Sequence, residues 1–227
     1  MTVYQRTNIP LTAGGPIARD PIGAPGFTAL LGPSLPATST TWPFQIARTT
    51  ATLGANTAPS SVFGTPILKT TGDPTGNAGK VMIPPALITK TVGFTFFMVV
   101  RLAAATTYLA ELGQYRLAAV GGAFRLEHGS QISQLATVTN TADPHVIVGR
   151  CDAGNTTLKV DSLPFARAGT IDATPIPPYA PWIGRTTTYA AGTQLAAFGY
   201  APHALTDAEL VAVANTQRAG YPWPWPT

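Results

Sequence analysis

Few residues in this 227-residue chain are of types that do chemistry. There are three glutamates, Glu111, Glu127 and Glu209, three histidines, His128, His145 and His203, and a single cysteine, Cys151. Cleavage of a glycosidic bond needs two carboxylates flanking that bond, one as acid and one as base or nucleophile. No two acids stand at alternating positions of one strand-like segment. Glu111 in YLAELGQ and Glu127 in FRLEHG can approach only if their segments become neighbouring strands, and Arg116 and Arg125 then offer them ion pairs. Glu209 stands three residues after Thr206, the spacing of a capping box. The histidines are far apart and lack metal-ligand spacing. Cys151 has only Arg150 beside it as an activating charge, and a lone cysteine forms no intrachain disulfide. No glycine-rich phosphate loop and no Gly-x-Ser-x-Gly elbow is present. These residues predict a chain that is not an enzyme.

Loop oxygens are the remaining candidates for binding an ion. CDAGN and VDS supply Asp152, Asn155 and Asp161, and TNTAD supplies Asn140 and Asp143. Ca²⁺ takes six to eight oxygens, usually with several carboxylates. Turn formation accounts for the same residues. The expectation is no cofactor, with Ca²⁺ the one ion these loops could hold.

Charged residues are 11% of the chain, less than half the usual share. The net charge of +4 is scattered, with no run of Lys or Arg, which argues against a nucleic-acid groove. A surface so poor in charge predicts contact with other molecules. MTVYQRTNIPLTAGG lacks a basic head followed by an apolar core, so no signal peptide is expected. GFTFFMVVRLAAA is too short to span a membrane and is interrupted by Arg101.

The elements that would position these residues are mostly strands. FQIART, KVMIP, GFTFFMVVRL, TYLAEL, YRLAAV, AFRLEHG, QLATVT, HVIVGR, TTLKVDS, PWIGR and QLAAFGYA are short, rich in β-branched and aromatic residues, and separated by turn formers. Gly121-Gly122 between two such runs is a hairpin signal. Helical features begin only at Thr206. Asp207 and Glu209 suit the helix N-terminus, Leu205 and Leu210 form a hydrophobic staple, and Leu210, Val213, Ala214 and Gln217 share one stripe. Gly220 reads as the C-cap and Pro222 as the stop. So short a helix must dock on a larger surface.

Residues 1–43 read differently. A Pro or Gly occurs every few residues, yet Ile9, Leu11, Ile17, Ile22 and Phe27 punctuate the segment. An extended apolar arm gains by lying on another surface, its own domain or a partner's. The tail 222–227 alternates Pro with Trp223 and Trp225, which suggests an extended path with two rigid contact residues.

Taken in order, GFTFFMVVRL, HVIVGRCDAGNTTLKVDS, WIGR and QLAAFGYAPHALTDAELVAVANTQRAGY resemble the laminin-G-like, concanavalin A-like lectin superfamily, over residues 80–221. That family has a strand of the form FT…V followed by a basic residue, a WHHVA…DG…LYVDG hairpin, an IG strand, and a last strand leading into ALTDAEI. Asp161 is followed by Ser162 where the family usually has Gly, and QLAAFGYA lacks the acid that often opens its last strand. The resemblance implies an all-β, antiparallel jelly-roll β-sandwich, with a short C-terminal helix covering part of it. It places His145 at the start of a core strand. With the composition of the two ends, three parts are expected: an extended N-terminal arm at 1–43, a sandwich at 44–221 and a Pro/Trp tail at 222–227.

Such domains occur in tailed-bacteriophage virion proteins. The leading expectation is therefore a structural virion protein, a capsid decoration or tail surface component assembled in a host cytoplasm. It would be oligomeric and would contact the major capsid or tail protein through Ile9, Leu11, Ile17, Ile22, Phe27, Trp223 and Trp225. The alternative is a carbohydrate-binding module for host glycans, with Tyr108, Tyr115, Trp182 and Tyr189 as stacking residues.

Overall fold

A computed structural model of the chain describes residues 26–32, 40–46, 49–71, 81–88, 93–103, 107–112, 115–128, 131–132, 136–137, 143–152, 155–168, 182–183 and 192–226. The strands are, in chain order, β1 (Ala29–Leu31), β2 (Thr41–Pro43), β3 (Thr50–Leu53), β4 (Thr57–Val62), β5 (Thr65–Thr70), β6 (Val81–Met82), β7 (Gly93–Arg101), β8 (Thr107–Leu112), β9 (Tyr115–Val120), β10 (Ala123–His128), β11 (Gln131–Ile132), β12 (Ala136–Thr137), β13 (Pro144–Asp152), β14 (Asn155–Val160), β15 (Ala166–Ala168), β16 (Trp182–Ile183) and β17 (Gln194–Ala201). One α-helix follows, α1 (Asp207–Gly220).

The first sheet has the order β15-β14-β13-β7-β17-β5-β4, and β1 also pairs with β17. The second has the order β11-β10-β9-β8-β16-β6-β3-β2, and β12 also pairs with β10. All pairings among the described residues are antiparallel. Phe94, Phe96, Met98 and Ile147 of the first sheet meet Leu109, Leu117 and Phe124 of the second in one buried cluster. The fold is the all-β sandwich with one C-terminal helix that the sequence predicts.

Strand β7 shows why the first sheet reads as a continuous apolar run. Phe94, Phe96, Met98 and Val100 face the second sheet, while Phe97 and Val99 lie on the other face, beneath α1. A strand covered on both faces has no polar alternation. Two glycines serve this packing. A Cβ on Gly199 would lie 2.1 Å from the ring of Phe97, and one on Gly149 would lie 2.3 Å from that of Phe96. Each ring lies across a glycine on the neighbouring strand, at register positions Phe97↔Gly199 and Phe96↔Gly149.

Helix α1 docks by the predicted stripe. Leu210, Val213, Ala214 and Gln217 are its buried residues, and Leu205 is buried beside them. The capping box is complete: the Glu209 N–H donates to Thr206 Oγ1 at 3.3 Å, and the Thr206 N–H donates to Glu209 Oε2 at 2.7 Å. The C-terminus differs from expectation. Gly220 is the last helical residue and Tyr221 is the cap, in extended conformation at φ −122°. Burial of the Tyr221 side chain keeps the chain against the sheet and makes a left-handed cap unnecessary.

The boundary expected at residue 43 is corrected. Strand β1 lies inside the expected arm, yet it pairs with β17 at Ala29↔Tyr200, Leu30↔Gly199 and Leu31↔Phe198. All three of its residues are buried. Phe27 sits edge-on to Phe97 at 5.4 Å, in the cluster under α1. It is a core residue and not a partner contact. Trp42 of β2 is buried as well, and its indole N–H donates to Gly32 O at 2.9 Å. Ile9, Leu11, Ile17 and Ile22 lie outside the described residues.

The tail is also corrected. Trp223 is buried to 4% exposure, and Trp225 packs on the same cluster. The Trp225 indole N–H donates to Arg218 O at 2.9 Å, and Arg218 Nη2 donates to Pro226 O at 3.1 Å. The Trp225 backbone N–H also donates to Trp223 O at 2.9 Å, closing a turn at Pro224, and both indoles pack on the cluster under their own helix. The described residues of FQIART, 44–46 and 49, are not in a strand either: residues 41–43 and 50–52 pair with each other on either side of it. The hairpin β4–β5 had no signal in the strand pattern. Its turn is Phe63-Gly64, at φ 49° and 75°, a conformation in which Asn-Gly is the usual pair.

Candidate functional site

The outer face of the first sheet is apolar beneath α1 and polar next to the helix N-terminus. Register makes the polar part. Arg150 of β13 faces Thr95 of β7 on one side and Thr157 of β14 on the other, and Thr157 faces Arg167 of β15. Directly paired residues share one face, so these four form a row across four strands.

The row holds the approach to the helix. Thr95 Oγ1 donates to His203 O at 3.0 Å and accepts from the Leu205 N–H at 2.9 Å. Arg150 Nη1 donates to Leu205 O at 2.8 Å, and its Nη2 donates to Thr157 Oγ1 at 3.0 Å. Asp207, the first helical residue, then spans both guanidiniums. Its Oδ1 lies 3.0 Å from Arg150 Nη1, and its Oδ2 lies 2.6 Å from Arg167 Nη2. The bond from Arg167, reinforced by the charge of Arg150, holds the Asp207 carboxyl below the usual carboxylate range. Arg167 also lies over the Phe165 ring, 4.8 Å from its centroid. Lys159 approaches the same ring and donates to Leu163 O; burial lowers its pKa.

Beside this row is a cleft of about 350 Å³ lined by Arg150, Asp152, Asn155, Thr156, Thr157, Arg167 and Ala168. Asp152 and Asn155 face each other at the exposed end of the β13–β14 hairpin. They supply a carboxylate acceptor and an amide that both donates and accepts. Arg167 supplies donors at the other end. The sequence marks Asp152 and Asn155 as loop oxygens and Asp207 only as a helix N-terminal charge, and it offers no sign of Arg167. Their juxtaposition is set by the strand register, which no local pattern carries.

The remaining predicted residues are dispersed. Tyr115 is buried in the intersheet core, edge-on to Phe94 at 5.0 Å, and is corrected from a glycan-stacking residue to a core residue. Tyr108 lies in β8 opposite Ala118, and Trp182 lies in β16 opposite Glu111. Tyr189 lies outside the described residues. Glu111 and Glu127 do not come to neighbouring strands: β9 lies between β8 and β10, and its Arg116 is in register with both. Glu111 pairs with Arg116 at 3.4 Å and Glu127 with Arg125 at 2.6 Å.

Asp161 is taken out of the calcium set by its bonds. Its Oδ2 lies 2.6 Å from Nδ1 of the buried His145, and its Oδ1 accepts from the Val146 N–H at 2.9 Å. Among the described residues, no group of three or more His, Cys, Asp and Glu is placed to hold a metal ion. Cys151 is buried, and that burial raises its thiol pKa well above the usual value.

No protein-family model matches the chain, and no curated protein does. Solved structures do match. Trypanosoma rangeli sialidase with the inhibitor DANA superimposes at a TM-score of 0.67 and 15% identity, over 88% of this chain and 34% of the sialidase. The same sialidase with sialic acid gives 0.65 and 16%, over 86% and 33%. The binding domain of botulinum neurotoxin DC with SialylT gives 0.64 and 8%, over 88% and 53%. The chain thus spans about a third of the sialidases' length. At these identities the likeness shows the fold alone, an antiparallel β-sandwich. It also corrects the expectation that the chain is not an enzyme: proteins sharing this architecture include sialidases, which are enzymes, so three scattered glutamates do not decide the question. None of these three structures is a virion protein.

Proposed function

We propose that this domain binds carbohydrate, and that the cleft between Asp152–Asn155 and Arg167 is where it does so. The observation that carries this reading is the cleft's lining. Sugar hydroxyls both donate and accept, and they are met by planar polar groups that do the same at fixed spacing. Asp152, Asn155 and Arg167 provide such groups, and the backbone beneath them is a rigid antiparallel ladder. Asp152 and Asn155 are two residues along from the Arg150–Thr157 pair, about 6.6 Å by strand rise, which suits a single sugar ring. Proteins that contain a part of this fold have been solved with sialic acid and SialylT, and this chain superimposes on 33% and 53% of their lengths.

The test is calorimetric titration of the domain with a panel of oligosaccharides. Binding to at least one, abolished in the double variant Asp152→Ala/Asn155→Ala with an unchanged melting midpoint, is the expected result. No heat with any saccharide of the panel overturns the proposal. Product analysis of the same mixtures reads any turnover directly.

A second reading, a surface component of a bacteriophage virion, is favoured by one observation: charged residues are only 11% of the chain. The two readings coexist if the glycan belongs to a host surface. Stoichiometric co-purification with particles tests the virion reading.

A further inference from the structure

Two guanidiniums from strands separated by β14 converge on one carboxylate, one oxygen each, at 3.0 and 2.6 Å. Strands two apart are about 9.6 Å from each other, so neither arginine reaches Asp207 by accident of neighbouring register. The two are differently committed. Arg150 is 15% exposed and also bonds Leu205 O and Thr157 Oγ1. It is a fixed strut. Arg167 is 47% exposed and stacks on Phe165, and among the described contacts Asp207 is its hydrogen-bond acceptor through Nη2 alone. A guanidinium carries five donors, so Arg167 has several directed elsewhere.

Beyond placing its charge in the first helical turn, Asp207 is held among the described contacts by the two guanidiniums. The helix is capped by Thr206 and Glu209, without Asp207. Its side chain is 48% exposed and does not line the cleft. The pair of guanidiniums therefore forms a seat of carboxylate dimensions next to a cleft lined for hydroxyls, and the half-exposed Asp207 carboxylate fills it. Asp152 bears the same charge as an incoming anion but stands at the opposite, hairpin end of the cleft. This arrangement has polarity: cation at one end, acceptor at the other.

Resting on the carbohydrate reading above, we propose that the ligand is an acidic saccharide whose carboxylate is taken by Arg167 and Arg150, and that Asp207 is an internal competitor for that seat. A neutral sugar offers only hydroxyls and does not displace a carboxylate held by two guanidiniums, because charge-assisted bonds are the stronger ones. Removing the competitor should strengthen binding of the acid. Removing Arg167 should erase the preference for it.

The experiment titrates full-length wild type, Asp207→Asn and Arg167→Gln with 3′-sialyllactose, a glucuronate-terminated disaccharide, lactose and inorganic phosphate. In wild type an acidic sugar should bind more tightly than lactose. Asp207→Asn should tighten acidic-sugar binding about fivefold, the size of one exposed ion pair, and leave lactose unchanged. Arg167→Gln should bring acidic and neutral sugars to the same affinity. Melting curves establish that the variants are folded. Lactose binding as tightly as the acids, or an Asp207→Asn variant with unchanged or weaker acid binding, overturns this inference and leaves the carbohydrate reading standing. Phosphate binding as tightly as the acidic sugars also overturns it, since the seat is then a plain anion site. No binding of any saccharide by any variant removes the carbohydrate reading itself.

Discussion

His145 Nδ1 and Asp161 Oδ2 meet at 2.6 Å in the buried interior, with the His145 ring edge-on to Phe124 of the opposite sheet at 5.0 Å. The contact ties the start of β13 to the end of β14 and sets an imidazole between the sheets. Asp161 also takes a left-handed backbone, φ 47°. Asp and Asn tolerate that region, and an alanine there is strained.

Three substitutions at Asp161 should therefore rank in order. Asp161→Asn keeps the backbone preference and an acceptor for the Val146 N–H, and should cost least. Asp161→Gly keeps only the backbone freedom. Asp161→Ala keeps neither and should cost roughly 3 kcal/mol, the sum of a buried bond network and a strained φ. Denaturant unfolding measures the series. Equal costs would show that the carboxylate does not organise this corner.

Docking of α1 predicts two unequal losses. Thr206→Ala should cost about 1 kcal/mol. Leu210→Ala, at a fully buried position, should cost roughly 2–5 kcal/mol. Trp223→Ala should also destabilise, as its ring is part of the cluster under the helix. A Trp223→Ala variant as stable as wild type would return the tail to a partner-binding role.

Acid should weaken the helix terminus. Bonds from Thr206 lower the pKa of Glu209, and bonds from Arg167 lower that of Asp207. A carboxylate depressed in the folded state adds stability above its unfolded pKa of about 4, and that stability is lost as the pH falls through the folded value. The melting midpoint should fall below about pH 4, and less steeply in Glu209→Gln and Asp207→Asn. Parallel pH profiles for wild type and both variants would contradict the assignment.

Gly199→Ala should be destabilising although its φ is ordinary, because the new methyl meets the Phe97 ring. Displacing that ring also disturbs Phe27, and overpacking of this kind costs about 1–3 kcal/mol. In a Phe97→Leu background the penalty should shrink. An undiminished penalty would place its cause in the backbone.

Cys151 should resist alkylation in the native protein and react completely in denaturant, since burial both blocks it and keeps it a thiol. Rapid native labelling would mean that β13 opens locally.

Much of the architecture is legible in the residues alone. The capping box at Thr206 and Glu209, the stripe from Leu210 to Gln217, the Gly121-Gly122 turn and the long strand at 93–101 are local features. Propensity, periodicity and capping act over a few residues, and a one-dimensional string displays them. Register is different. Leu30 pairs with Gly199 across 169 positions, and nothing within a Pro- and Gly-rich segment announces its partner. Trp223 reads equally well as an anchor for another molecule or as cover for its own helix until the outer face of the sheet is seen to be apolar. The row Arg150–Thr157–Arg167, with Asp207 laid across it, exists only because three strands align and a helix starts at their edge. Pairing of distant strands is decided by the packing of whole faces, so the tertiary structure alone brings together the groups of the proposed binding site.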